Sequence, residues 1–165
     1  MESADLIEQA RALLQLCRSK QLRIATAESC TGGLVAAVLT ELPGSSDVFD
    51  RALVTYSNAA KESMLDVDAQ ILARYGAVSR ETAEAMARGA LACAPVNLVV
   101  AITGIAGPQG ETPAKPVGLV HFAAVSRRGQ AVHYEERYGN RGRALVRRAC
   151  VSRSIEILIE LAERE

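Results

Sequence analysis

The stretch NLVVAIT, Asn97 to Thr103, is apolar at every position between its two ends. No polar residue alternates with the apolar ones, so this is not the pattern of a strand with one wet face. Its length and β-branched content fit a central strand covered on both faces, as in the sheets of α/β proteins. It runs straight into GIAGPQGETPAKPVG, Gly104 to Gly118, which holds four glycines and three of the chain's five prolines and reads as a loop.

Upstream of that strand the pattern alternates. Residues 4–18 place Ile7, Ala10, Leu13, Leu14 and Cys17 at helical spacing. LRIATA, Leu22 to Ala27, reads as a short strand, and a helix over about 34–42 follows it and stops at Pro43-Gly44. RALVTYS, Arg51 to Ser57, reads as a second strand that passes into a helix start, with Asn58 as its expected cap. Short helical pieces follow at 62–65 and 68–75, with Gly76 as a stop, and then a helix capped by Ser79. Downstream, LVHFAAVS and QAVHYEERY flank RRG as an antiparallel pair, and residues 143–163 form a last helix. Strands alternating with helices, then a hairpin, predict a three-layer α/β/α sandwich with a mixed, mostly parallel sheet, in one domain over 1–165.

Composition narrows the function classes. Nineteen Lys plus Arg balance nineteen Asp plus Glu in 165 residues, so nothing draws the chain generally toward nucleic acid or anionic lipid. Tryptophan is absent and six aromatics occur, which gives no base-stacking platform. No run of about 18 apolar residues predicts a membrane span. The first twenty residues lack the basic start and apolar centre of a secretory signal, so a cytoplasmic protein with reduced thiols is expected. Cys17, Cys30, Cys93 and Cys150 are scattered, and His121 and His133 sit within predicted strands, so no metal site is expected.

Ligands of open α/β sheets bind beyond the carboxyl ends of the strands. Three polar stretches occupy such ends: ESCTGG (28–33), TYSNAAK (55–61) and the loop after Thr103. The first could present amides and a helix end to an anion, or could be a plain glycine-bearing helix start. It is neither a P-loop nor a G-x-G-x-x-G fingerprint. Ser29, Cys30 and Thr31 sit on a tight strand-to-helix turn that can project one nucleophile. With both histidines placed in strands, a Ser-His-Asp triad is disfavoured, and Lys61 is the candidate base. A lysine acts as a base only when neutral. Moving its pKa from ~10.4 to ~7–8 means disfavouring the ammonium by roughly 4 kcal/mol. Spacing alone favours a solvated helix lysine instead, although the chain has just three lysines, at 20, 61 and 115.

Four blocks, TAESCTGGLVAAVLTELPGSSDVF, VTYSNAAK, GAVSRETAEAMARGAL and AITGIAGPQGETPAKPVG, closely resemble the CinA C-terminal domain family, in order and from about Leu6 to Ala162. The resemblance implies deamidation of nicotinamide mononucleotide to nicotinate mononucleotide and ammonia, with no cofactor. It also implies self-association as a homodimer or higher homo-oligomer. It places the catalytic serine on Ser29 and the lysine on Lys61, supported by Tyr56 and Thr103. The substrate would meet the Glu28, Cys30, Thr31, Gly32 and Gly33 turn, whose amides are oxyanion-hole candidates, and Gly104, Gly107 and Arg143. A family stretch like G-D-R-x-x-V-R matches YGNRGRALVR best with Arg143 and Arg147, with Gly142 where aspartate is usual, while a shifted register would promote Arg141. Glu111 stands where glycine is common. Other readings remain beside these: Ser29 as a helix cap, Cys30 as nucleophile, Glu28 as an acid, a base or a loop-ordering group, Tyr56 and Thr103 as packing residues, Lys115 at a phosphate or in solvent. A non-catalytic nucleotide-binding or regulatory module is the alternative function. A nucleic-acid partner, suggested by the family's historical link to competence and DNA damage, is disfavoured by charge and aromatic content.

Overall fold

The computed structural model describes residues 3–165. Five strands form one sheet in the order β2-β1-β3-β4-β5. They are β1 (Ile24–Glu28), β2 (Phe49–Val54), β3 (Leu98–Gly104), β4 (Leu119–Ser126) and β5 (Ala131–Arg137). The pairs β2-β1 and β1-β3 are parallel, whereas β3-β4 and β4-β5 are antiparallel. Four strands therefore point one way and β4 runs against them, as the mixed, mostly parallel expectation requires.

The strand at Asn97–Thr103 behaves as its sequence predicts. Leu98, Val100 and Ile102 enter one buried cluster with Leu13, Leu39, Ile155 and Leu158. Val99 and Ala101 enter a second with Leu72, Met86, Ala87 and Ala90. Successive side chains point to opposite faces, so a strand with helices on both sides must be apolar throughout. Helices α1 (Ser3–Ser19), α2 (Leu34–Thr40) and α6 (Arg143–Glu163) cover the first face, and α3 (Asn58–Leu65), α4 (Ala69–Tyr75) and α5 (Arg80–Cys93) the second. Each buried Leu, Ile or Val contributes about 1.5–3 kcal/mol. Among the described residues no helix is long and apolar enough to cross a membrane.

One cap differs from expectation. Ser57, not Asn58, caps α3, its hydroxyl accepting from the Ala60 amide at 3.1 Å. Ser79 caps α5 as read, and Gly76 ends α4. Ser57 holds the extended backbone a cap needs, which places Asn58 inside the helix.

Helices α3 and α5 touch backbone to side. At Gly89 an added Cβ would lie 1.9 Å from the Leu65 carbonyl oxygen. Glycine is usually a liability inside a helix, by roughly 1 kcal/mol against alanine. Here only hydrogen lets α3 sit this close. Gly89→Ala is therefore expected to destabilise, by about 1–3 kcal/mol as an overpacking change, and to lower Tm by several degrees in a thermal melt. A melt unchanged or raised would contradict this packing.

Candidate active site

The parallel strands β1, β2 and β3 end on one edge of the sheet, and the three polar stretches meet there. They enclose a cavity of about 220 Å³ lined by Ser29, Cys30, Tyr56, Lys61, Thr103 and Arg143, together with Ala77–Val78 and the 104–110 loop.

At its floor, Lys61 Nζ lies 3.1 Å from Ser29 Oγ and 2.7 Å from the Thr55 carbonyl oxygen. Lys61 is 1% exposed, so it is not the solvated lysine that spacing favoured. Burial pushes its pKa below the ordinary lysine value, a shift that negative charge at Cys30 partly offsets. The amine reaches back to Thr55, ahead of the α3 N-terminus. A neutral amine has a lone pair and two hydrogens. With one hydrogen donated to Thr55, the lone pair is free to accept the Ser29 hydroxyl proton. No salt bridge to Lys61 occurs among the described residues.

The turn after β1 is built on Glu28. Its fully buried carboxylate accepts from the amides of Gly33 (2.9 Å), Val35 (3.2 Å) and Ala36 (3.0 Å), and from the Thr26 hydroxyl (3.1 Å). Glu28 thus caps α2 from a distance and orders the loop, and it is not among the cavity's lining residues. Ser29 is no cap, since its hydroxyl faces Lys61. Gly32 and Gly33 adopt positive φ of 58° and 90°, which makes the turn tight enough to deliver those amides. Thr31, Gly32 and Gly33 also lie off the cavity lining. The Gly32 amide is taken by the Ser29 carbonyl at 3.0 Å and the Gly33 amide by Glu28. Among the described residues, no carbonyl of the turn and no Glu28 oxygen takes the Cys30 or Thr31 amide, and the Cys30 amide faces its own thiol. The oxyanion-donor set expected over Cys30–Gly33 narrows to these two, of which Cys30 alone borders the cavity.

The remaining residues build walls. Thr103 Oγ1 donates to the Ala77 carbonyl at 2.7 Å, so it holds the Ala77–Val78 segment against β3 and does not bond to the Ser29–Lys61 pair. Arg143 bridges the mouth, donating to the Gly107 carbonyl (3.0 Å) and the Tyr56 hydroxyl (2.7 Å), and Tyr56 is 58% exposed. Gly104 and Gly107 line the cavity. Lys115 is neither at the cavity nor free: it donates to the Tyr75 carbonyl at the end of α4. Cys30 lines the cavity, but its thiol is hydrogen-bonded with Cys150, whose own pKa that bond and burial push far up. His121 and His133 stack away from the cavity, ring nitrogens 3.1 Å apart. Among the described residues no three His, Cys, Asp or Glu side chains converge as metal ligands.

The model of the CinA C-terminal domain matches residues 7–162. The chain belongs to that family. Nicotinamide-nucleotide amidohydrolase PncC of Shigella flexneri is 40% identical over 158 residues, covering 96% of this chain and 95% of that protein. A CinA-like protein of Synechococcus sp. (strain RCC307) is 45% identical over 94% of this chain, which spans 37% of that longer protein. The crystal structure of competence/damage inducible protein CihA from Agrobacterium tumefaciens superimposes with a TM-score of 0.94 at 51% identity, each chain covered to 95%.

Sequence reasoning missed two contributors to the site, the Thr55 carbonyl and the Ala77–Val78 wall, and named Arg147 without its partner, the Thr31 carbonyl. The first two act through backbone, which leaves no residue-type signal. Glu28→Gln is expected to cost about 2 kcal/mol or more, because the amide nitrogen would face backbone donors. Urea unfolding at neutral pH measures this, and a midpoint equal to wild type would refute the capping role.

Proposed function

We propose that this member of the family hydrolyses the carboxamide of nicotinamide mononucleotide to nicotinate mononucleotide and ammonia, with Ser29 as nucleophile and Lys61 as base. The observation that carries the reading is the buried Lys61 amine, 3.1 Å from Ser29 Oγ and without a carboxylate partner among the described residues. A near-full-length relative at 40% identity is named for that amidohydrolase activity, and this supports the choice of substrate.

An amide carbon is a weak electrophile, so both an activated nucleophile and oxyanion stabilisation are needed. Ser29 Oγ attacks the carboxamide carbon as its proton passes to Lys61. The developing oxyanion is met by the Cys30 amide, which borders the cavity. The Lys61 ammonium, hydrogen-bonded to the Thr55 carbonyl, gives its proton to the leaving nitrogen. Ammonia departs and an ester to Ser29 remains. Lys61, neutral again, takes a proton from water as the water attacks the ester. Collapse releases the acid and restores the serine. Arg143, at the mouth, is the candidate for the nucleotide's phosphate, since exchanging its Tyr56 and Gly107 contacts for a phosphate would keep its donors satisfied.

Ammonia release from nicotinamide mononucleotide tests this. Ser29→Ala and Lys61→Met are expected to lose at least ~10³-fold in kcat, and Cys30→Ala to stay within a few-fold of wild type. Activity surviving in Ser29→Ala removes the nucleophile, and nucleotide binding by wild type without turnover favours a non-catalytic module.

The pH profile carries a sign. Burial disfavours the ammonium, so the folded-state pKa of Lys61 lies below the unfolded one and the neutral base is gained at lower pH than in a free lysine. The acid limb of kcat/KM should therefore rise with pH through a midpoint below ~10.4. A rate that falls as pH rises from 6 to 9 would exclude Lys61 as base.

A further inference from the structure

The nucleophile turn is tied down through its backbone. The Ser29 amide donates to the Ile102 carbonyl at 2.9 Å, and the Leu34 amide to the Thr31 carbonyl at 3.2 Å. The Thr31 carbonyl takes a second, shorter bond, from Arg147 Nη2 at 2.6 Å. Arg147 stands on α6, one turn beyond Arg143, so both reach the same side of the helix. Only Arg143 lines the cavity. Arg147 passes beneath the turn, close enough that a Cβ on Gly32 would lie 3.7 Å from its Nη2.

One feature sets this arginine apart. Its Nε is buried and has no partner among the described residues. Like Arg127 and Arg143, it is held by a carbonyl and has no carboxylate within ion-pair reach among the described residues. A partly buried cation held by a neutral carbonyl is costly, and orphaned donors of this kind call for an explanation. Its charge is felt at the turn: the Cys30 thiol is held down chiefly by its bond with Cys150, and Arg147 adds a smaller effect in the same direction, against the larger opposing effect of Glu28.

We propose that Arg147 is a positioning residue for the nucleophile turn. Its guanidinium pins the Thr31 carbonyl so that the turn keeps the Cys30 amide in place for the oxygen that becomes anionic when Ser29 attacks. This rests on the serine-attack reading above. It gives Arg147 no contact with the substrate, so its loss should slow the chemical step and leave binding alone.

Two readouts test it. Labelling of Ser29 by a fluorophosphonate, followed by mass spectrometry, needs the nucleophile and the oxyanion donors but no amide substrate. Ammonia release from nicotinamide mononucleotide gives kcat and KM. Losing a direct oxyanion donor costs ~10²–10³-fold, and a residue acting one bond further out is expected to cost roughly 10-fold. Arg147→Met should slow labelling and kcat by that factor with KM within two-fold. Guanidinium ion should accelerate Arg147→Ala but not wild type. Arg147→Lys, the milder change should the others fail to fold, should be slowed to an intermediate degree, because one ammonium cannot reproduce the planar fork. Labelling of a folded Arg147 variant at the wild-type rate, or a raised KM with kcat intact, overturns the proposal. Wild type that labels without releasing ammonia removes the substrate assignment and leaves Arg147 to be judged by labelling. Wild type that does not label overturns both.

Discussion

The candidate site depends on one desolvated amine. Lys61 is shielded from water where the ends of β1 and β2 and the loop after β3 close around its Nζ. The Thr55 carbonyl gives that amine one fixed partner, and Ser29 Oγ is the other. Burial of the Lys61 side chain is what lowers its affinity for a proton.

The fold makes that closure possible because parallel strands finish together. Strands β1, β2 and β3 deliver a turn, a helix start and a long loop to one edge, and each is fastened by a different device. Glu28 gathers the amide of Gly33 and two amides of α2. Ser57 caps α3. Thr103 ties β3 to Ala77. All three are side chain–backbone bonds that satisfy groups a loop would otherwise leave to solvent.

Much of this was legible in the sequence, for identifiable reasons. Unbroken apolarity at Leu98–Ile102 has one economical meaning, a strand covered twice, and the two buried clusters share it by alternate residues. Ser29 and Lys61, 32 positions apart, were singled out by residue type and by their places at strand ends. Spacing alone nevertheless misread Lys61 as solvated, since its burial is set by the strand ends and the loop that close around it and not by the local sequence. Asn58 was mistaken for the cap because two good capping residues adjoin and only backbone conformation separates them. The roles of Thr55, Ala77 and Val78 were invisible, because a carbonyl has the same chemistry in every residue. Glu28 was read as ambiguous between chemistry and loop order, and its four hydrogen bonds give it the second role.

The wall formed by Ala77 and Val78 hangs from Thr103 by a bond to its main chain. Side chains at those two positions can therefore change size without disturbing the fastening, and neither position belongs to the elements that carry Ser29 and Lys61. The wall and the Ser29–Lys61 pair are mounted on separate parts of the chain. In such an arrangement the cavity can change its outline at the wall while Ser29 and Lys61 stay where they are.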